Sequence, residues 1–157
     1  MLVAIDEAEK AGLRDEVPVG AAVYDHEHGH IVAKAGNNVR SLNDPTAHAE
    51  ILVIREACKK IGQSRLPFFS LYVTLEPCPM CCQAISFARL PKLVFGAYDT
   101  KGGGVEHGPK IFSHPTSHHY LEILGGIEEQ RCGELLTDFF NKKRQEGNSL
   151  KKNLNKS

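Results

Sequence analysis

Tyr72-Val73-Thr74-Leu75-Glu76-Pro77-Cys78-Pro79-Met80-Cys81 passes from an apolar, β-branched run, through a proline-flanked turn, into a cysteine pair at helical spacing. The run from Phe68 to Leu75 is rich in aromatic and β-branched residues and reads as a buried strand. Pro79 suits the first position of a helix, where its missing N–H costs nothing, so a helix is expected over 79–89. Upstream, Asp44-Pro45-Thr46 supplies breaker and cap residues before a helix over 47–60, with Ile51, Leu52, Ile54 and Cys58 on one apolar face and Gly62 as its stop. Val17–Tyr24 and Ile31–Ala35 flank a polar stretch containing Gly29, the pattern of a hairpin. Val3, Ala4, Ala8 and Ala11 space a first helix that is expected to end at Gly12.

Downstream, 92–98 reads as a strand, Gly102-Gly103-Gly104 as a loop and 119–124 as a last strand. A terminal helix is expected over 128–144 with Leu135, Leu136, Phe139 and Phe140 on one side. Strands that alternate with helices after an initial hairpin predict a three-layer α/β/α domain around a central mixed five-stranded sheet. The chain is read as one domain, 1–157, with a basic C-terminal helix and a flexible tail from about residue 142.

Hydrophobic residues make 41% and charged residues 24% of the 157, the balance of a globular chain and not of a disordered one. Formal net charge is zero, so the total points neither toward nor away from nucleic acid. Its distribution is uneven: Lys142, Lys143, Arg144, Lys151, Lys152 and Lys156 stand against Glu146 alone at the C-terminal end, a stretch able to neutralise phosphates or simply to keep a solvated end soluble. Five cysteines, an odd number, fit metal ligands and buried thiols better than a disulfide framework. A reducing, cytoplasmic setting is therefore expected. No run of 18 apolar residues predicts a membrane span.

His48-Ala49-Glu50 opens one expected helix and Cys78-Pro79-Met80-Cys81 opens another. Cys78 and Cys81, three apart, can turn their sulfurs to one side of a helix start. Two thiolates and an imidazole suit zinc, and helix N-termini favour anionic sulfur. Three protein ligands leave a fourth tetrahedral position, as in catalytic zinc and unlike closed structural zinc. Glu50, two residues past His48, is the candidate proton carrier. H-x-E followed by P-C-x-x-C is the known signature of zinc deaminases of nucleobases, to which these residues are matched. A lone C-x-x-C also serves redox and structural zinc sites; the combined pattern is far more specific. Cys82 points away from Cys81 by helical geometry and, like Cys58 and Cys132, reads as a buried thiol. His26, His28 and His30 read as a solvated hairpin tip.

Beyond that signature, the chain resembles the bacterial tRNA-specific adenosine deaminases, within the cytidine and deoxycytidylate deaminase superfamily. The resemblance rests on Glu16-Val17-Pro18-Val19-Gly20-Ala21, Asp44-Pro45-Thr46-Ala47-His48-Ala49-Glu50, the quoted segment 72–81, Val94-Phe95-Gly96-Ala97-Tyr98-Asp99 and Leu135-Leu136-Thr137-Asp138-Phe139-Phe140. It implies a cytidine-deaminase-like fold, one Zn2+ per chain held by His48, Cys78 and Cys81, and Glu50 as catalytic residue. It implies further that Asn37 contacts a flipped nucleotide, Asp99 lies beside the ribose, and Val17 and Pro18 line the base pocket. Phe139, Phe140, Lys143 and Arg144 match the terminal helix that approaches an anticodon stem-loop, and a homodimer is implied. The stretch 100–108 departs from the small-residue and serine pattern of the family, as does His118-His119. A deaminase of free guanine or cytosine, or a non-catalytic zinc-bearing RNA-binding module, are the competing expectations; Glu50 beside an open metal position opposes the second.

Overall fold

A computed structural model describes residues 1–154, with side chains through Ser149. The elements follow the order α1 (Leu2–Leu13), β1 (Gly20–Asp25), β2 (His30–Gly36), α2 (Val39–Leu42), α3 (Ala49–Ile61), β3 (Phe69–Leu75), α4 (Pro79–Phe87), β4 (Lys92–Ala97), β5 (Glu122–Leu124) and α5 (Glu129–Leu154), with a 3-10 turn at Ile111–Ser113. The expected five-stranded mixed sheet is present, in the order β2-β1-β3-β4-β5. β1 runs antiparallel to both β2 and β3, whereas β3, β4 and β5 are mutually parallel. The hairpin accounts for the antiparallel half, and the α4 crossover makes the parallel half possible.

Side-chain alternation sets the layers. Ala21 and Val23 of β1, Leu71 and Val73 of β3, and Leu93 and Phe95 of β4 share one face and pack with Val53 and Ala57 of α3 and Ile85 of α4. Complete burial of each such Leu or Phe contributes about 1.5–3 kcal/mol. The opposite face is built of smaller residues because α1 and α5 lie close upon it. A Cβ on Gly20 would come within 2.1 Å of the Ala4 carbonyl oxygen in α1. A Cβ on Gly96 would come within 2.5 Å of Cys132 Sγ in α5 and 2.6 Å of the Thr74 carbonyl oxygen. Gly96→Ala is accordingly expected to cost about 1–3 kcal/mol by overpacking. A urea melt should show the midpoint falling with an unchanged slope; an unmoved midpoint would mean that α5 is not held against β4 this closely.

Several boundaries differ from expectation for identifiable reasons. α1 runs past Gly12 to Leu13, and Asp15, at φ 65°, takes the left-handed turn that Gly12 was expected to supply. Gly62 does close α3, at φ 73°. The last strand is limited to Glu122–Leu124 because the residues before it are engaged elsewhere: His119 Nε2 lies 2.7 Å from the Leu90 carbonyl oxygen and Ser117 Oγ donates to the His119 carbonyl. α5 continues beyond Arg144 to Leu154, so residues 142–154 extend the helix where a tail was expected. The side chains of Lys151, Lys152 and Lys156 lie outside the described residues. Phe139 and Phe140 do not share a face, since consecutive helical residues are about 100° apart; Phe139 is half-buried and Phe140 is exposed.

α2 was not anticipated from the sequence. It exists because the buried carboxylate of Glu16 accepts the N–H groups of Arg40 and Ser41 together with the Ser41 hydroxyl. Against the cost of burial, those donors hold the Glu16 carboxyl below the usual range. No helix among the described residues is long and apolar enough to cross a membrane.

Candidate active site

The chemistry gathers at two helix starts on one end of the sheet. His48 is the N-cap of α3 and Cys78 the N-cap of α4, each with extended backbone, and Pro79 opens α4 as expected. Asn37, just past β2, ties the first of these in place: the Ala49 N–H donates to its Oδ1 at 2.8 Å, and its own N–H donates to the Val19 carbonyl at 2.9 Å. Asn37 therefore caps α3 as well as facing the cleft, and its Nδ2 is the donor left to offer a ligand.

His48, Cys78 and Cys81 present one ligand atom each, all within 4.8 Å of one another. Both sulfurs stand 3.6 Å from the same ring nitrogen, His48 Nδ1. Bonds of about 2.3 Å to sulfur and about 2.0–2.1 Å to nitrogen at a tetrahedral angle would separate the two atoms by about 3.6 Å, so the spacing fits zinc. The charges fit as well. The neighbouring Cys81 thiol brings Cys78 down to about 4 against the cost of partial burial, with His48 adding to the fall. Cys81 is pushed up by Cys78 and by burial. One thiolate forms readily and a second beside it does not, unless a divalent cation joins them. Cys82 is fully buried with its Sγ donating to the Pro77 carbonyl, away from the donor set. At the hairpin, His28 pairs with Asp25 and His26 with Ser70, so the alternating histidines are used locally.

Glu50 is 4% exposed, on the first turn of α3, and still borders the cleft. Burial pushes its carboxyl up to about 7, with the Cys78 sulfur adding to the rise and His48 opposing it. A carboxyl poised there exchanges protons readily near neutral pH.

The cleft has a volume of about 470 Å³, within the range of small-molecule sites. His48, Glu50 and Cys78 form its floor; Val17, Val19 and Asn37 make one wall, and Leu75, Glu76, Asp99 and Gly102 the other. Phe139 and Lys143 of α5 close the third side, the Lys143 ammonium lying 5.9 Å from the Phe139 ring centre. At the mouth, Asp15 pairs with both Arg40 and Lys143, joining α2 to α5. Lys143 first, and Arg40 with it, holds the Asp15 carboxyl low.

One expected pocket residue falls elsewhere. Pro18 is buried against Gly12 of α1, and the next residue, Val19, takes the cleft position. Phe140 and Arg144 lie on a shallow outer face with Leu136 and Thr137, and Lys143 borders both that face and the cleft. Sequence reasoning missed Asp15, Glu16 and Arg40 at the mouth, and Glu76, which borders the cleft while its carboxylate is fully buried beside the Asp99 segment. An acid at the end of an apolar strand run, as Glu76 is, was the one signal available for these.

A buried glutamate next to two thiolates and an imidazole, opening on a base-sized cleft, defines a zinc-dependent deaminase. Residues 1–97 match the model of the cytidine and deoxycytidylate deaminase zinc-binding region. The chain is 54% identical over 145 residues to a tRNA-specific adenosine deaminase of Agrobacterium fabrum, covering 92% of this chain and 93% of that one. It is 43% identical over 154 residues to a tRNA-specific adenosine deaminase of Bacillus subtilis, covering 98% and 94%. A solved structure from studies of A-to-I editing by tRNA:A34 deaminases superposes with a TM-score of 0.84 at 54% identity, over 87% of this chain and 97% of the other. The chain belongs to the tRNA-specific adenosine deaminase family.

Proposed function

We propose that the protein hydrolyses the wobble adenosine of a tRNA anticodon to inosine, releasing ammonia. The observation that carries this reading is Glu50, buried beside the three metal donors and facing a cleft whose third side is a basic helix. The relatives named above support the choice of substrate. Zinc held by His48, Cys78 and Cys81 supplies the Lewis acidity that makes water a nucleophile at neutral pH.

The remaining work falls to the chain's own side chains. Glu50 takes the proton of the attacking water, hands it to N1 of the adenine, and delivers a second to the leaving amino group, so that water is consumed and ammonia leaves. Val17 and Val19 pack on the base, and Asn37 Nδ2 donates to it. Asp99 lies beside the ribose. Phe139 offers a stacking surface and Lys143 a phosphate partner, while Phe140 and Arg144 meet RNA outside the cleft. The second proton that Glu50 delivers comes from the hydroxyl formed at C6 of the adenine, which gives it to Glu50 as the carbonyl of inosine forms and the C6–N bond to the amino group breaks. A splayed single-stranded base can reach Glu50, whereas a stacked one cannot.

The protein acts in the cytoplasm with its tRNA, as a homodimer. Met80 and Phe87, both exposed on α4, supply apolar surface for that association. A non-catalytic zinc module has no use for a buried carboxylate at an open metal position.

Inosine release from an anticodon stem-loop carrying a wobble adenosine, compared with turnover of free guanine and cytosine, tests the substrate. Turnover of the free bases alone overturns it. Lys143→Ala is expected to weaken stem-loop binding and lower the salt slope of log K by about 1, as one lost phosphate contact would; an unchanged slope removes Lys143 from the interface.

A further inference from the structure

Glu76 is 2% exposed, belongs to no step above and is not one of the metal donors. It stands where β3 turns into the Pro77-Cys78 corner. Its Oε1 accepts the backbone N–H groups of Val105 at 3.2 Å, Glu106 at 2.8 Å and His107 at 3.0 Å. Its Oε2 accepts the Asp99 N–H at 3.0 Å and lies 2.8 Å from His107 Nδ1. A buried carboxylate costs free energy unless it is paired in this way, and here all its partners come from a single segment, 99–107.

That segment contains neither helix nor strand, so its N–H groups have no ladder to join. Asp99 Oδ1 gathers the N–H groups of Lys101 and Gly102, and the Gly104 N–H donates to the Pro77 carbonyl at 2.8 Å. Gly103 leaves room for the carboxylate: a Cβ there would lie 2.5 Å from Glu76 Cδ. His107, in the part of the chain that departs from the family pattern, adds the one side-chain donor and stands edge-on to Tyr98. Asp99 and Gly102 of the same segment line the cleft next to Glu76, whose own side chain is fully buried.

We infer that Glu76 is a positioning residue for substrate: it fixes the wall formed by Asp99 and Gly102, and through that wall sets how tightly the nucleotide is held, without touching nucleotide or metal. This rests on the reading of the cleft as the nucleotide site. A purely structural carboxylate would affect melting temperature, zinc content and the active fraction, and hence apparent kcat, while leaving KM alone. A positioning carboxylate shows itself in KM.

Glu76→Gln keeps the shape but places an amide N–H against one of the donors. It is expected to raise KM for the anticodon stem-loop at least tenfold with kcat per bound zinc changed less than threefold. His107→Ala removes only the side-chain donor and is expected to raise KM about threefold; His107→Gln, whose amide can still donate to Glu76, is expected to restore it. Because Glu76 acts through the wall, Glu76→Gln added to Asp99→Ala should raise KM little beyond Asp99→Ala alone. Unchanged KM in Glu76→Gln, or KM effects that simply multiply in the double variant, overturns the inference. If Glu76→Gln does not fold, the two His107 variants decide it, and equal KM values for both and for the unmodified protein overturn it. Turnover of the stem-loop by the unmodified protein tests the functional reading separately. Should it turn over free guanine or cytosine instead, the same KM comparisons are made with that base.

Discussion

Glu50→Gln is expected to reduce inosine formation by about 10³-fold or more while zinc stays at one per chain. Glutamine keeps the volume and planarity of the buried side chain, so the first turn of α3 and its cap by Asn37 should survive, and the melting temperature should move by no more than a few degrees. What disappears is the one cleft carboxyl that lies beside the metal donors and is raised by burial toward neutral pH, the group placed to take a proton from water and return it to the base. Glu16 and Glu76, also buried at the cleft, are held low by their N–H donors against the cost of burial. The loss belongs in kcat, because the cleft lining of Val17, Val19 and Asn37 is left unchanged; stem-loop affinity should stay within about threefold. Activity within tenfold of the unmodified protein, with zinc content measured on the same sample, would remove Glu50 from the role of proton carrier.

Cys81→Ala should have an effect as large by a different route. Cys81 is fully buried at the third position of α4, and its loss leaves one sulfur and one imidazole, too few to hold zinc under dialysis. Zinc content and turnover should fall together, by more than about 10³-fold in turnover, and added Zn2+ should not restore them. The adjacent residue supplies the control. Cys82→Ala removes a buried thiol bonded only to the Pro77 carbonyl, and should keep one zinc per chain at a stability cost of about 1–2 kcal/mol. Retention of zinc by Cys81→Ala, or its loss from Cys82→Ala, would show that the donor set has been drawn wrongly. Chelator treatment of the unmodified protein, followed by Zn2+, should abolish and then restore activity.

The sequence was informative wherever a property repeats along the chain or recurs at a fixed spacing. Apolar runs rich in β-branched and aromatic residues located the core strands, and Gly62 and Pro79 marked helix ends through properties of single residues. The donor set was legible because His48, Cys78 and Cys81 each stand within one turn of a helix start. Other features depended on partners distant in sequence. Glu16 meets α2 some 24 residues later and Glu76 meets its loop 23 to 31 residues later, and no local pattern encodes either pairing. Which ring nitrogen of His48 faces the sulfurs depends on how α3 and α4 sit together. Val17 and Val19 line the cleft and Pro18 does not, because adjacent residues in extended chain face opposite ways, an alternation the resemblance alone did not resolve.

The match to the zinc-binding region stops at Ala97, the final residue of β4. Every metal donor and the proton carrier lie before that point; the Asp99 wall and the α5 side of the cleft lie after it. The metal donors and the Val17, Val19 and Asn37 wall are thus written in one stretch of the chain, and the rest of the cleft's rim largely in the next, with the sheet as their common spine. A lineage, or a protein engineer, can rewrite the second stretch to change what borders the cleft while inheriting the first unaltered. The joint for such a graft is the end of β4, where Gly96 lets α5 settle close upon the strand.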